Sequence, residues 1–360
     1  MAVAIGTSRT HLGLRPAHAA WPVRPVYNLA FDGATPAEIL AYLRHAQAVR
    51  PLRLVVLGLD TWQLSGAPSS VRPDFDPSVL LAPDDPRSRV RARLAELRIL
   101  LSLDTAAQSW ATVWAQARPQ PAWLAPDGQR LGDVFFRKVE TTFVRQGPAA
   151  YFTSVDRREI GFKLPEAPPS GPGPRLPAGP TTPRDSFDDI TEIIAFCRSH
   201  AIDLRVFVTP AHAHQSEIAF LTGEQPVIER GKRRLVAALA QDAIRSGRPA
   251  FPLWDFSGYS RVTTEPVPDD PRREMAYYWD SSHFKAGVGD WVLDRVLGAD
   301  GGPGDAPPTD FGRRLTPESL EPELAAIRAG HETYARAHPA DVAQLAAMVN
   351  ETRAAQSRRP

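Results

Sequence analysis

Cysteine, net charge and long apolar runs are all scarce in this chain, and each scarcity excludes a class of protein. The single cysteine, Cys197, rules out an intrachain disulfide, and its place in the apolar run Ile193–Cys197 predicts a buried structural thiol. A formal net charge of +1, with no basic stripe between aromatics, argues against nucleic acid as a partner. No apolar run reaches the ~18–20 residues that cross a bilayer, and no signal peptide is recognisable.

The start of the chain is abrupt for an α/β domain. Val3-Ala4-Ile5 already has the pattern of a core strand, and central strands rarely begin a domain without a lead-in. We therefore expect an N-terminal segment, either an anchor or a signal, to precede Met1 in the full protein. A periplasmic or membrane-associated location follows from that expectation, and a cytoplasmic one stays open.

Proline punctuates the chain, with 36 residues in all. The stretch 164–183 is so rich in Pro and Gly that it predicts an exposed linker rather than the interior of a helix or strand. A second loose stretch covers 298–308. We therefore expect an α/β domain over residues 1–298 with an insertion at about 67–185, followed by a linker and helical tail over residues 299–360.

Short apolar runs alternate with helical patterns outside the insertion. Strands are predicted at 2–5, 25–29, 52–57, 204–208 and 251–256, and helices at 36–50, 87–117, 186–200, 224–246 and 288–297. Apolar strands separated by helices predict a parallel sheet that is covered on both faces. The predicted fold class is therefore α/β, a three-layer sandwich with about five parallel strands.

The carboxyl ends of these strands carry most of the polar residues that suit chemistry. In parallel sheets, ligands bind along that edge. The candidates there are Ser8, Asn28, Gly33, Asp60, His212 and Asp255, with Asp280 and His283 in the loop before the last sheet-covering helix.

Ser8 is the best candidate nucleophile. Serine is weak at neutral pH and needs an adjacent base, which in turn needs a third group to hold its tautomer. Asp280 and His283, one helical turn apart, can present both side chains to one point. Small residues before Ser8 allow a sharp turn, so its backbone N–H would face a developing oxyanion, and Gly33 can supply a second N–H. The pattern predicts acyl transfer or ester hydrolysis.

Several of these residues have competing interpretations. A small-residue turn after a strand is common, and the segment 280–283 can simply begin a helix. His212 and His214 lack a nearby acidic or cysteine partner, so no metal site is predicted. His212 is retained as a contact of the substrate or of a residue that touches the substrate. Asp255 either caps the end of its strand, which is the favoured interpretation, or is an alternative orienter for His283. The aromatic residues Tyr277–Trp279 and Trp62 either pack in the core or stack on sugar rings at the rim of the site.

Together, these segments resemble the SGNH (GDSL-like) hydrolase superfamily. The matching pieces are Gly6-Thr7-Ser8 for the nucleophile block, Gly33 for the glycine block, Gly58-Leu59-Asp60 for the third block and Asp280-x-x-His283 for the last. Gly-Thr-Ser-Arg followed by Asn28 and Gly33 is similar to the membrane-linked branch that acts on cell-envelope polymers. That branch includes relatives of the alginate O-acetylation proteins and of the D-alanyl transfer protein of teichoic acids. The resemblance spans about residues 2–66 and 186–298.

The resemblance implies a flavodoxin-like sheet and a Ser8–His283–Asp280 triad, with no metal and no organic cofactor. It implies, as substrate, an acyl ester of a cell-envelope glycan, here an acetyl ester, or a small ester. A membrane acyltransferase is implied as a candidate partner. The expected function is that of a serine esterase or O-acyltransferase.

One position departs from the family pattern. The third block usually carries an Asn that donates to the oxyanion, whereas Asp60 stands here and an ionised carboxylate only accepts. Asp60 is therefore expected to be structural or to orient a donor such as Arg9, which can itself supply positive charge. The alternative function is that of an inactive relative that binds polysaccharide or a membrane acyltransferase. A nucleotide-binding protein is disfavoured, because no Gly-rich phosphate loop opens a helix.

Overall fold

The computed structural model describes residues 1–73, 75–81, 85, 87–116, 121–164, 185–268, 270, 272–298 and 306–358. Apart from Leu164, the linker predicted at 164–183 lies outside the described residues. The loose stretch predicted at 298–308 is described only at 298 and 306–308. Within the described ranges the chain forms an α/β structure built on one six-stranded sheet.

The sheet has the strand order β2-β1-β3-β4-β5-β6. Its strands are β1 (Ala2–Ile5), β2 (Val26–Asn28), β3 (Leu54–Leu59), β4 (Asp203–Val208), β5 (Leu253–Asp255) and β6 (Arg313–Leu315). The first five strands run parallel, with Val3 beside Val55 and Leu57 beside Val206, and β6 pairs antiparallel with β5. The chain moves outward from β1 to β2 and then returns past β1 to β3. The winding direction therefore reverses between β1 and β3.

Helices fill the connections between the strands. They are α1 (Ser8–Gly13), α2 (Pro36–Val49), α3 (Ser88–Leu100), α4 (Leu103–Gln116), α5 (Gly132–Val134), α6 (Thr141–Gln146), α7 (Pro148–Lys163), α8 (Ser186–Ser199), α9 (Ala213–Thr222), α10 (Gln225–Ser246), α11 (Ala286–Leu297), α12 (Leu320–Ala337) and α13 (Pro339–Ser357). Short 3-10 turns lie at Thr61–Leu64 and Pro77–Val79, and a π-helical turn lies at Phe135–Val139.

Local sequence explains why the first sheet-covering helix begins where it does. The Thr35 hydroxyl accepts the backbone N–H of Glu38 at 3.3 Å, and the Glu38 carboxylate accepts the backbone N–H of Thr35 at 3.1 Å. Pro36 occupies the first helical position, where its missing N–H has no helical partner to lose. These three residues together start α2 directly after the turn that follows β2.

Two apolar cores lie on opposite faces of the sheet. On one face, Ile39 of α2 and Ile193 of α8 belong to a cluster with Val55 of β3. On the other, Val292 of α11 belongs to a cluster with Val56 of β3. Consecutive residues of one strand thus enter different cores, as the two-residue period of a strand requires. The result is three layers, which confirms the predicted α/β class.

The sixth strand was not predicted. Residues 299–360 were expected to be a linker and helical tail, but Arg313–Leu315 joins the sheet beside β5. Leu315 is buried in the same core as Leu320 and Leu324 of α12. A strand of three residues is too short to show an alternating pattern, so periodicity does not indicate it. The sheet is therefore mixed, and it includes part of the predicted tail.

The helix predicted at 87–117 is also divided. α3 ends at Leu100 and α4 begins at Leu103. Between them, the Ser102 hydroxyl accepts the backbone N–H of Thr105 at 3.1 Å and caps the second helix. The periodicity of the apolar residues predicted one continuous helix. The segment is helical, but the Ser102 cap begins a second helix within it.

The far end of the described chain packs against the insertion. Leu345, Met348 and Val349 of α13 form a small apolar cluster with Ile160 of α7 and Ile218 of α9. α7 belongs to the insertion and α9 follows β4. The helical tail therefore covers the outer side of the insertion's longest helix.

A buried ion pair at the end of β5 links the sheet to α10. Lys232 Nζ lies 2.6 Å from Asp255 Oδ2, and the two side chains are 2% and 0% exposed. The Ser257 hydroxyl donates to the other carboxylate oxygen at 2.7 Å. The structure thus pairs Asp255 with Lys232. Asp255 does not lie beside His283, although it was an alternative candidate to orient that imidazole.

Replacing Asp255 by alanine should lower the free energy of unfolding by about 3–5 kcal/mol, because Lys232 would be left as an unpaired buried charge. The matched control is Asp203→Ala, which removes a partly exposed pair with Arg205 and should cost about 0–1 kcal/mol. Urea denaturation followed by circular dichroism measures both losses. Similar losses in the two variants would contradict this account of the buried pair.

Candidate active site

A cavity of about 720 Å³ lies at the carboxyl ends of β1 and β3. This is the edge of the sheet where the winding direction reverses, and it is the position at which doubly wound sheets bind ligands. Ser8, Arg9, Gly33, Asp60 and His283 all line the cavity. Residues that are far apart in the sequence therefore meet at one site, as the order of strands and helices predicted.

A tight turn carries Ser8 into this cavity. Gly6 runs so close to β3 that a Cβ at this position would lie 2.6 Å from the Gly58 carbonyl oxygen. Thr7 caps α1, because its hydroxyl accepts the backbone N–H of Arg9 at 3.4 Å. Ser8 is the first residue of that helix. Glycine is thus required where β1 passes into the turn, and the turn sets the position of the serine.

Ser8, His283 and Asp280 form a continuous chain of hydrogen-bonding distances. Ser8 Oγ lies 2.9 Å from His283 Nε2. His283 Nδ1 lies 2.8 Å and 3.0 Å from the two carboxylate oxygens of Asp280. Because an ionised carboxylate only accepts, the ring proton belongs on Nδ1, and Nε2 is then free to accept the proton of the serine hydroxyl.

Asp280 is fully buried and is held as a carboxylate. Its Oδ1 accepts the backbone N–H groups of Ser282 at 2.7 Å and of His283 at 2.9 Å. Burial by itself would raise the pKa of Asp280. The charge of His283 and the hydrogen bonds from its ring and from the two N–H groups outweigh burial, so the pKa lies below its ordinary value. The anion that orients the imidazole is therefore present at neutral pH.

Asp60 is anchored beneath the nucleophile turn. Its carboxylate oxygens accept the hydroxyls of Thr209 at 2.7 Å and of Thr7 at 2.8 Å. Arg9 Nε lies 3.7 Å from the same carboxylate, and Arg9 also donates to Ser282 Oγ at 2.8 Å. These buried groups join the ends of β1, β3 and β4 to the loop that carries the histidine. Asp60 thus contacts Arg9. This contact is the one expected if Asp60 orients that side chain.

Gly33 forms part of the cavity wall with its backbone uncovered. Its φ of +61° lies in the left-handed region that favours glycine, and a Cβ there would meet no heavy atom within 4 Å. Its neighbour Asp32 pairs with Arg130 at 2.8 Å. The loop after β2 is thereby tied to the insertion, and the backbone of Gly33 stays accessible from the cavity.

Asn28 does not line the cavity, although the sequence analysis placed it at the site. Its Nδ2 donates to the carbonyl oxygens of Thr10 at 3.1 Å and Leu14 at 2.9 Å, and its Oδ1 accepts the backbone N–H of Ala30. The side chain therefore satisfies carbonyl groups at the end of α1. Its role in the structure is to fix α1 against β2.

His212 is also absent from the cavity wall. Its Nε2 donates to the Glu265 carbonyl at 2.7 Å, and its Nδ1 accepts the backbone N–H of His214 at 3.2 Å. Burial lowers the pKa of His212 well below the ordinary value, and His214 adds to the effect. The structure thus places the His212 side chain away from the cavity, because the end of a strand indicates an edge of the sheet and not where a side chain points.

The insertion supplies a wall of the cavity that the sequence analysis missed. The π-helical turn contributes Phe135 and Phe136, and α7 contributes Tyr151, Arg158 and Phe162. Burial, together with the nearby charge of Asp280, raises the pKa of Tyr151, so the phenol stays protonated. No motif in the insertion indicated this placement, since it depends on how the segment folds back over the sheet.

The aromatic residues near the site divide into two groups. The Trp279 ring stacks on Phe136 at 4.9 Å between ring centroids, and Trp279 is buried. Tyr278 is buried as well. Trp62 instead lines the cavity and is 38% exposed. Of these three aromatic side chains, Trp62 is the one that a ligand can reach, whereas Tyr278 and Trp279 are buried.

In the part of the chain that the structure describes, no three His, Cys, Asp or Glu residues are grouped so that they could hold a metal ion. None of the helices in that part combines the length and the apolar character needed to cross a bilayer. Comparison with known proteins found no matching family model, no matching curated protein and no matching solved structure.

An Asp60→Asn variant should lose about 3 kcal/mol of unfolding free energy, because Arg9 would keep its buried charge without an anion beside it. Thr209→Val serves as the control: it removes one hydroxyl that donates to the same carboxylate and accepts from Arg9, leaves the Asp60–Arg9 charge pair in place, and should cost about 1.5 kcal/mol. Urea denaturation at neutral pH gives both values. A loss in Asp60→Asn no greater than that of the control would contradict a charge-anchoring role.

Asp280→Asn should change how stability depends on pH. The pKa of Asp280 in the folded protein lies below its ordinary value of 3.8. Its charge therefore stabilises the fold above that pH, and the contribution is lost as the pH falls further. The difference in unfolding free energy between wild type and variant should be larger at pH 5 than at pH 3. A difference that grows on acidification would refute this assignment.

Proposed function

We propose that this protein is a serine acyl hydrolase or O-acyltransferase of the SGNH type, with Ser8 as nucleophile, His283 as base and Asp280 as orienter. One observation carries the proposal. Ser8 Oγ is 2.9 Å from His283 Nε2, and His283 Nδ1 is 2.8 Å from a buried Asp280 carboxylate, all at one cavity. A nucleophile, a base and an orienter in series are what serine-based acyl transfer requires.

The first half of the reaction forms an acyl-enzyme. Ser8 Oγ attacks the carbonyl carbon of the ester while His283 Nε2 takes the hydroxyl proton. Asp280 stabilises the resulting imidazolium and keeps the ring in one orientation. The tetrahedral intermediate then collapses: the bond to the alcohol oxygen breaks, and His283 returns the proton to that oxygen. The acyl group remains on Ser8.

The oxyanion of that intermediate needs donors that are already in place. The backbone N–H groups of Ser8 and Gly33 are our candidates, because both residues line the cavity and the space next to Gly33 is open. Asp60 faces the same cavity, but two hydroxyl donors and the Arg9 guanidinium compensate its charge. The Asn-to-Asp departure is therefore compatible with acyl chemistry.

The second half transfers the acyl group to an acceptor. Water or a sugar hydroxyl gives its proton to His283 and attacks the acyl carbon, and Ser8 leaves with that proton. We propose an acetyl ester of a cell-envelope glycan as the substrate. Support comes from the resemblance of the sequence blocks and from Trp62, whose ring lines the cavity and is accessible to a sugar. The parallel strand order 2-1-3-4-5, which is that of flavodoxin-like sheets, also fits the SGNH type.

A second candidate function is favoured by Asp60. The third block of SGNH proteins usually carries an Asn, whose amide donates to the oxyanion. Asp60 stands at that position here, and a carboxylate only accepts, so one oxyanion donor is missing. A protein that binds an acylated glycan, or a membrane acyltransferase, without turning over an ester would tolerate that change. This candidate predicts a cavity that binds glycan and a Ser8 that does not react.

Labelling with a fluorophosphonate probe distinguishes the two candidates. Wild-type protein should become covalently labelled at Ser8, and Ser8→Ala should not react at all. Asp280→Asn should be labelled and should hydrolyse p-nitrophenyl acetate about 10³–10⁴-fold more slowly, because the imidazole loses its orienting anion. Intact-protein mass spectrometry and initial rates provide the measurements.

Ser199→Ala is the matched control for these experiments. Ser199 is exposed at the end of α8 and does not line the cavity, so its replacement should leave labelling and hydrolysis unchanged. If well-folded wild-type protein resists the probe, the acyl-transfer proposal is wrong and the binding candidate takes its place.

A further inference from the structure

Helices α3 and α4 form a hairpin, residues 88–116, that has almost no buried surface of its own. Apart from Ser88, neither helix contains a buried residue. Large apolar side chains are exposed along the whole hairpin, namely Val90, Leu94, Leu97, Ile99, Leu100, Leu101, Leu103, Trp110, Val113 and Trp114. Exposed apolar surface on this scale marks an interaction site in a folded protein.

The exposed side chains are arranged in stripes. On α3, Val90, Leu94 and Leu97 recur at i, i+4 and i+7, which places them on one face of the helix. On α4, Trp110 and Trp114 are one turn apart, with ring centroids at 6.1 Å, and they are 65% and 67% exposed. The hairpin therefore presents an aliphatic face and an aromatic pair, and neither is covered by the rest of the described chain.

The protein body does not close over the hairpin. α3 is attached through the 3-10 turn Pro77–Val79, and a groove of about 770 Å³ separates it from the end of α2. Val49, Leu81 and Ile99 line that groove. The hairpin therefore stands off the sheet domain, and the stripe Val90, Leu94 and Leu97 of α3 does not line the groove.

Charge on the hairpin has one dominant sign. Residues 87–100 contain five arginines and one glutamate, whereas α4 contains one aspartate and no basic residue. On the helical wheel, Arg91 and Arg98 flank one side of the α3 stripe, and Arg89 and Arg93 flank the other. Arg91 is paired with Asp85 at 2.6 Å and Arg93 with Glu96 at 2.9 Å, whereas no ion pair to Arg89 or Arg98 is found among the described residues. Exposed guanidinium groups on both borders of an apolar stripe, with tryptophan nearby, suit the interface of a lipid bilayer.

We propose that the α3–α4 hairpin docks this protein onto the surface of an anionic lipid bilayer. The stripe Val90–Leu97 and the pair Trp110 and Trp114 enter the boundary between headgroups and acyl chains, and the flanking arginines lie at the level of the lipid phosphates. Charge complementarity favours this occupant over a second copy of the chain packed α3 against α3, which would bring like-charged arginines together. The proposal does not depend on the chemistry of Ser8.

Vesicle flotation with the full chain tests the proposal. The protein should float with vesicles of 70% phosphatidylcholine and 30% phosphatidylglycerol, and poorly with pure phosphatidylcholine. Trp110→Gln/Trp114→Gln and, separately, Arg89→Gln/Arg98→Gln should each weaken partitioning at least about tenfold. Raising the NaCl concentration from 50 to 500 mM should weaken binding of the wild type and have less effect on the arginine variant.

Matched controls separate the hairpin from apolar or basic surface in general. Leu103→Gln on the hairpin, at 89% exposed, should weaken flotation, whereas Ile244→Gln on α10, at 81% exposed, should not. Arg245→Gln/Arg248→Gln is the control for the arginine pair, because both residues are exposed on or just after α10. All variants replace exposed side chains, so circular dichroism and thermal unfolding should match the wild type.

Three outcomes would overturn the proposal. The first is a wild-type protein that stays at the bottom of the gradient with both vesicle compositions. The second is equal weakening by the hairpin variants and their α10 controls. The third is a concentration-dependent dimer in analytical ultracentrifugation that is lost in Trp110→Gln/Trp114→Gln, which would assign the apolar surface to a second copy.

Discussion

The buried carboxylate of Asp60 is the constraint on which the geometry of the site depends. It receives hydroxyls from the end of β1 and the start of the loop after β4, while itself sitting at the end of β3. Arg9 lies beside it and reaches across to Ser282 in the loop that carries the histidine. Through these contacts, four segments that are distant in sequence are held at one position. The serine and the imidazole meet because their supporting loops share this anchor.

The sequence contains enough information for the five parallel strands and for the meeting of Ser8 with His283. Apolar strands separated by helices predict parallel strands, and parallel strands share an edge, so 275 positions of separation in the chain do not prevent contact. The same reasoning placed Asn28 and His212 at that edge, where their side chains turn inward to carbonyl groups. Position along a strand can be inferred from pattern, but the direction of one side chain depends on unmet hydrogen bonds nearby.

Other features could not be inferred because they involve few residues or long-range packing. Arg313–Leu315 is too short for a periodic signal and pairs antiparallel with β5. Phe136 and Tyr151 reach the cavity only after the insertion folds back, and nothing in the local sequence specifies that return. The hairpin 88–116 was predicted to be helical, yet its periodicity could not show that both apolar faces remain uncovered.

The packing of α13 on α7 links the cavity wall to a distant part of the chain. Met348 and Val349 support Ile160, one turn or less from the cavity-lining residues Arg158 and Phe162. During synthesis, Ser8 leaves the ribosome long before the segment that braces its own enclosure. In a nascent chain, this part of the pocket wall is therefore left without its support until α13 has been synthesised.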